Sequence, residues 1–351
     1  MMVTQLDMEL LRRLSQADGP PGAEGPVRDI LREVLRERVD ELRTDTMGNL
    51  FAVKRATTPV GASRPPRVML TAHMDEPALM IVLVDSNGRL RFQAAGRVEA
   101  RALIGQAVRI GWGAWPGVIG VTPFHLTSPD GRKNIPDMDD LTIDVSADNR
   151  DAAEATVSRG DYAVFDTAFE PLGALVKGKA LDNRAGVAVL AALLAGDYPC
   201  DVHAVFTVQE GVGARGARIA AYAVAPDAAF IIDGHAVDEL PTEDGDEPPV
   251  RVGLGPVITL SENGFLAHPA LVARLTAAAE AANVAVQRAA RGAQAGEGRV
   301  IHVAQTGVPT ALVGLPVRYA HTAASLMRPA DLDGAAALLA QTLRTMDEVT
   351  P

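Results

Sequence analysis

The period of the apolar positions changes twice along the chain. Val27, Ile30, Leu31, Val34 and Leu35 recur at helical spacing and predict an amphipathic helix, preceded by a Gly- and Pro-rich loop over 18–25. Residues 49–53 read as a strand after a turn at Met47-Gly48, and the apolar run 68–72 reads as a short buried strand. From about Pro77 to Pro171 the pattern breaks into short alternating runs separated by Gly, Pro and Asp, including 107–110, 117–121, 141–145 and 162–165. Such spacing predicts a β-rich unit. Beyond it the elements alternate again. A helix is expected over 184–194, strands over 202–208 and 228–232, a helix over 271–282 and a strand over 310–315. The expected architecture is an α/β domain with a mixed sheet, residues 1–76 plus 173–351, interrupted by a small β-rich domain over 77–172.

Composition narrows the possible roles. The chain has 351 residues, 48% of them hydrophobic and 22% charged, which suits a folded protein and argues against disorder. Its 33 basic and 44 acidic residues leave a net charge of -11, which weighs against a nucleic-acid partner. The single cysteine, Cys200, excludes an intramolecular disulfide and fits a reducing compartment. Residues 1–12 lack the apolar core of a signal peptide, and no apolar stretch reaches spanning length unbroken. A cytoplasmic location with no membrane partner is therefore expected.

Several polar residues sit where buried runs end. His73 and Asp75 follow 68–72, Glu210 follows 202–208, Asp233 follows 228–232, Asp182 precedes the helix near Arg184, and His321 follows 310–315. In open α/β sheets, sites collect at the carboxyl ends of strands. Singly, each has an ordinary reading: Asp182 as a helix cap, His73 as a hydrogen-bonded strand-end histidine, Glu210 and Asp233 as solvated strand ends, His321 as a loop histidine. Together, His, Asp, Asp and His after separate buried elements form a metal-ligand inventory. His73 and Asp75 are two apart and share a side of an extended chain, so Asp75 can orient the ring of His73.

The chain also resembles the tetrahedral aminopeptidase family, which includes glutamyl aminopeptidases and cellulase M-like proteins. The resemblance rests on motifs in order over nearly the whole length: Met47-Gly48-Asn49-Leu50, Ala72-His73-Met74-Asp75-Glu76, Leu103-Ile104-Gly105-Gln106, Asp140-Leu141-Thr142-Ile143-Asp144, Lys179-Ala180-Leu181-Asp182-Asn183-Arg184-Ala185-Gly186, Gln209-Glu210 with Gly213 and Arg215-Gly216-Ala217, and Arg318-Tyr319-Ala320-His321. It implies a zinc-peptidase-like catalytic domain, a β-rich dimerisation insert, and homo-oligomers from dimer to dodecamer acting on peptides. It also implies one or two divalent ions per subunit, zinc, cobalt or manganese. Position by position, Asp182 would bridge two metals, His73 and Asp233 would complete one site, and His321 would serve the other. Asp75 would support His73, and Glu210 would be the general base.

The resemblance has gaps. The family's second glutamate, a metal ligand, is replaced by Gly211. Pro77-Ala78 replaces an aliphatic residue and Gly, and Gly296-Glu297-Gly298-Arg299 replaces a Gly-Thr-Asp-Ala stretch. His235 and Glu297 are the candidate substitute ligands. His125, His203 and His268 carry no expected role. The leading expectation is a metallo-aminopeptidase with one strong and one weak metal site. The alternatives are a non-catalytic homologue with a binding or structural role and a related amide hydrolase.

Overall fold

The computed structural model describes residues 6–57, 64–129, 133–239, 250–290 and 296–348; the first five residues of the N-terminal segment lie outside these. Helices α1 (Met8–Gln16) and α2 (Gly25–Leu35) lead to strands β1 (Glu41–Thr44), β2 (Leu50–Lys54) and β3 (Arg67–His73). The chain then forms β4 (Ala78–Val84), β5 (Leu90–Ala95), a short helix α3 (Ala100–Leu103), β6 (Ala107–Ile110), β7 (Trp115–Gly120), β8 (Thr142–Asp144), a short helix α4 (Arg150–Glu154) and β9 (Tyr162–Phe165). It returns through β10 (Glu170–Leu172) and β11 (Leu175–Gly178) to α5 (Leu181–Leu193), β12 (Asp201–Thr207), α6 (Arg215–Val224), β13 (Ala228–Val237), β14 (Val257–Glu262) and β15 (Phe265–Leu266). Last come α7 (Pro269–Ala281), β16 (Gln287–Ala290), α8 (Gly298–Ile301), β17 (Thr310–Arg318), β18 (Ser325–Met327) and α9 (Pro329–Arg344).

Among the described residues, twelve strands form one mixed sheet, ordered β1-β2-β12-β3-β13-β17-β18-β11-β10, with β14 on β17 and carrying β15 and β16. Strand β3 runs parallel to β12 and β13, and β13 parallel to β17. Strands β4 to β9 close into a separate six-stranded barrel, ordered β4-β5-β8-β7-β6-β9, with its own core of Leu79, Ile81, Val108, Ile119 and Ile143. The large sheet resumes at Glu170, a little before the boundary read from the sequence.

The central strands are buried on both faces, which explains their unbroken apolar runs. Helix α5 is buried almost all round, in keeping with its Ala- and Val-rich sequence. No described helix is long and apolar enough to cross a membrane.

Candidate active site

Parallel pairing brings the carboxyl ends of β3 and β12 to one edge of the sheet. His73 is the last residue of β3 and lies opposite Thr207, the last residue of β12. Asp233 was expected at a strand end, but β13 continues through it to Val237, and Asp233 pairs with Gly314 inside the sheet. The reason is tertiary: β17 runs alongside to Arg318 and supplies partners for the extra residues, so the polar side chain does not end the strand.

Asp182 was expected to precede a helix, with a cap as its ordinary reading. It lies at an irregular start of α5, where the backbone at Asp182 and Asn183 is non-helical and the peptide between them is cis. Asn183 folds back and donates to the Ile232 carbonyl at 2.7 Å. The Asp182 carboxylate therefore faces the sheet edge and caps nothing. Gly234 makes this possible, because a methyl group there would lie 2.3 Å from Asp182 Oδ1.

These placements bring three expected ligands together. His73 Nε2 lies 3.5 Å from Asp233 Oδ1 and 3.8 Å from Asp182 Oδ1. One donor atom from each of the three lies within 4.8 Å of the others. His321 comes from the loop after β17, with its Nε2 3.4 Å from the second oxygen of Asp182, and is about a third exposed. All four line one cavity with Glu210, Gly211, Arg97 and Gly296.

Asp75 has a different contact from the one expected. His73 Nδ1 is 3.1 Å from the Asp75 backbone carbonyl and 3.6 Å from its carboxylate, so the orienting partner is the carbonyl. A ring that donates from Nδ1 presents its Nε2 lone pair to the cluster. The Asp75 carboxylate instead accepts the amides of Glu210 and Gly211, each at 2.9 Å. It positions the loop that carries the expected base. Asn49, in the turn before β2, holds the same loop: its side chain accepts from the Val208 amide at 3.1 Å and donates to the Gly216 carbonyl at 3.1 Å.

The two candidate substitute ligands lie off the cavity lining. His235 is buried on β13 against Gly314 of β17. Glu297 is buried, and its carboxylate accepts from the Thr207 hydroxyl.

The site's electrostatics call for a cation. Burial works against a charged His73, yet Asp182, Asp233 and Asp75 raise its proton affinity well above the ordinary value. Burial works against ionised Asp182, but His321 and His73 hold it well below the usual carboxylate range. Burial pushes Glu210 up to about 8, opposed by His73 and reinforced by Asp233, Asp75 and Glu297. Asp182 Oδ1 is buried and has no hydrogen-bond partner. Buried polar atoms without partners are uncommon, and each calls for an explanation. A divalent ion among one imidazole and two carboxylates satisfies that atom with an ordinary donor set.

A buried ionic network braces the site from behind. Lys179 Nζ contacts both oxygens of Glu76, at 2.8 and 2.9 Å, and Asp18 at 2.9 Å. Arg184 donates to the carbonyls of Met74, Leu14 and Ala17. From the barrel, Arg109 reaches Asp18 at 2.5 Å.

Comparison with known proteins places this geometry in context. Residues 48–338 match the model of the M42 glutamyl aminopeptidase family. Lysyl aminopeptidase of Pyrococcus furiosus is 30% identical over 355 residues, covering 97% of this chain and 99% of the relative. Glutamyl aminopeptidase of Lactococcus lactis is 29% identical over 327 residues, covering 89% and 88%. Among solved structures, the TET aminopeptidase of Thaumarchaeota archaeon SCGC AB-539-E09 superposes with a TM-score of 0.90 at 28% identity, covering 97% of each chain. Pyrococcus horikoshii TET1 peptidase, described as assembling into a tetrahedron or a large octahedral shell, gives 0.84 at 28% identity, covering 96% and 99%.

Proposed function

The chain belongs to the M42 glutamyl aminopeptidase family, and from that membership we propose that it is a metal-dependent aminopeptidase that removes N-terminal residues from peptides. The observation that carries this reading is the convergence of His73, Asp182 and Asp233 around an orphaned carboxylate oxygen, in one cavity with Glu210.

In this reading His73, Asp182 and Asp233 hold one divalent ion, zinc, cobalt or manganese. When bound, the ion supplies Lewis acidity to the scissile carbonyl and makes a coordinated water more acidic. Glu210 takes the proton of the attacking water and delivers it to the leaving amine. Asp75 fixes the Glu210 amide, and its carbonyl fixes the His73 ring. Asp182 and His321 are the ligands left for a second ion, and Gly211 adds none. The adjoining cleft, which shares Arg97 and His321 with the cavity, gives the rest of the peptide its exit. The barrel is a domain of its own that pairs subunits in a homo-oligomer, as its exposed Trp112, Trp115, Phe124 and Leu126 support. The single cysteine accords with a cytoplasmic location.

A panel of aminoacyl p-nitroanilides, assayed with added cobalt, zinc or manganese, tests the proposal. Metal-stimulated cleavage of free-amine substrates is expected. Glu210→Gln should lower the rate on the order of 10²–10⁴-fold while metal content stays level. Cleavage of N-acylated substrates alone would favour a different amide hydrolase, and full activity in Glu210→Gln would remove that residue from the mechanism.

A further inference from the structure

A general base works only while its carboxylate is held within reach of the water it activates. Glu210 lies on the loop between β12 and α6, beyond the last strand pair of β12 at Thr207, so the sheet does not fix it. The residue before it, Gln209, has a φ of +57°. That left-handed backbone is uncommon outside glycine and persists where the surroundings impose it.

The surroundings here are side chains. Four consecutive amides of the loop donate to groups from distant parts of the chain. Val208 donates to Asn49 at 3.1 Å, Gln209 to Glu24 Oε1 at 3.1 Å, and Glu210 and Gly211 to Asp75 at 2.9 Å each. Glu24 therefore acts on the left-handed residue itself. It is only 2% exposed, and the same oxygen accepts the Gly22 amide at 2.7 Å. Glu24 stands at the start of α2, yet its side chain makes no capping bond to that helix. Helix stability thus does not account for a buried acid, which is costly to keep away from water. Its support is firm. Val27, Leu31 and Leu35 of α2 are locked in the core. In the loop before Glu24, the Gly19 amide donates to Glu76 Oε1 at 2.9 Å, and the hydroxyl of Tyr162 in the barrel donates to the Pro21 carbonyl at 3.1 Å.

We propose that Glu24 is a positioning residue for Glu210: by accepting the Gln209 amide it fixes the left-handed turn that aims the base into the cavity. This rests on the aminopeptidase reading above. Without that acceptor Gln209 is free to relax toward an ordinary φ, and a rotation there displaces the residue that follows. A misplacement of about 1 Å in a catalytic group can cost on the order of 10²-fold in rate. His73 and Asp233 are carried by strands of the sheet and Asp182 by the start of α5, so the metal ligands do not depend on this turn.

The test uses the metal-loaded protein with two variants. Glu24→Leu fills the space without an acceptor, and Glu24→Gln keeps a side-chain oxygen for both amides. The readouts are kcat and KM for an aminoacyl p-nitroanilide, metal content, and hydrogen exchange of residues 205–216 by mass spectrometry. In Glu24→Leu, kcat should fall on the order of 10- to 100-fold, with KM and metal content level and exchange across the segment faster. Glu24→Gln should recover the slow exchange and most of the kcat. Unchanged kcat in Glu24→Leu overturns the proposal, as does a loss of kcat without faster exchange. A parallel loss of metal or rise in KM marks a merely structural role and also overturns it. So does a Glu24→Gln protein with slow exchange and the low kcat of Glu24→Leu. If Glu24→Leu does not fold, the unmutated protein and Glu24→Gln decide: exchange of this segment at the rate of an unprotected peptide in either one refutes the hold. If the unmutated protein cleaves no aminoacyl amide with any metal, the aminopeptidase reading fails on its own, and the exchange comparison still decides whether Glu24 fixes the loop.

Discussion

Single residues decide what this cavity can hold. Asp182 reaches it only because Gly234 leaves room. Gly211 is the counterpart, a position where a side chain is missing. Three protein ligands make an ordinary catalytic zinc site, whereas two hold an ion poorly. Calorimetric titration of the metal-free protein should therefore show one tight and one weak site, and two equally tight sites would refute the division. Gly211 does not have a positive φ, so its backbone admits a side chain. A Cβ there would nevertheless sit 3.1 Å from Gly96 Cα and 3.4 Å from Asp75 Oδ2. Gly211→Glu should then tighten the weak site at some cost in thermal stability, measured by titration and melting together. Cys200 is a simpler case. Burial, with Asp201 nearby, pushes its thiol up to about 12. It should not react with Ellman's reagent at pH 8 until denaturant exposes it, since only the thiolate is the nucleophile.

At the scale of elements, the Lys179–Glu76–Arg184 network ties α1, the end of β3 and the start of α5 into one unit. All three charged side chains are at most 1% exposed. Removing one member of such a buried network leaves the others uncompensated, which typically costs about 3–5 kcal/mol. Glu76→Gln, which removes the carboxylate facing two buried cations, should lower unfolding stability by about that amount in urea titrations. A loss below about 1 kcal/mol would show that Asp18 alone suffices for Lys179. The short strands 107–110 and 162–165 were read from the sequence at the limits they have in the structure, because each is bounded by Gly or Asp. The ends of β13 and β17 were read short. Strand pairing carries both past the apolar run, and sequence pattern does not report a neighbouring strand.

For the whole molecule, the barrel presents Trp112 at 75% exposure, Phe124 at 70% and Leu126 at 68%. A subunit contact on the barrel would remove these apolar side chains from water. Light scattering coupled to size exclusion should find an assembly larger than one chain. Trp115→Glu with Phe124→Asp should reduce its mass while the circular dichroism spectrum is retained. A monomer before mutation would refute the proposed assembly.

The sequence by itself determined the layers, the barrel segment between two α/β parts, and the chemical types at the site. Periodicity reports burial, and His, Asp and Glu after apolar runs stand out against it. It also places a glycine directly after Glu210. The tertiary structure alone decided which atoms meet. The kinked start of α5 aims Asp182 at His73, and the Asp75 carboxylate turns to the amides of Glu210 and Gly211. His235, Glu297 and Glu262 are buried off the cavity lining. The reason is distance along the chain. Asp75 and Glu210 are 135 residues apart, and Gly296 and Glu262 are 34 apart. Contacts over such separations are made by strand order and loop path, which no local pattern of residues encodes.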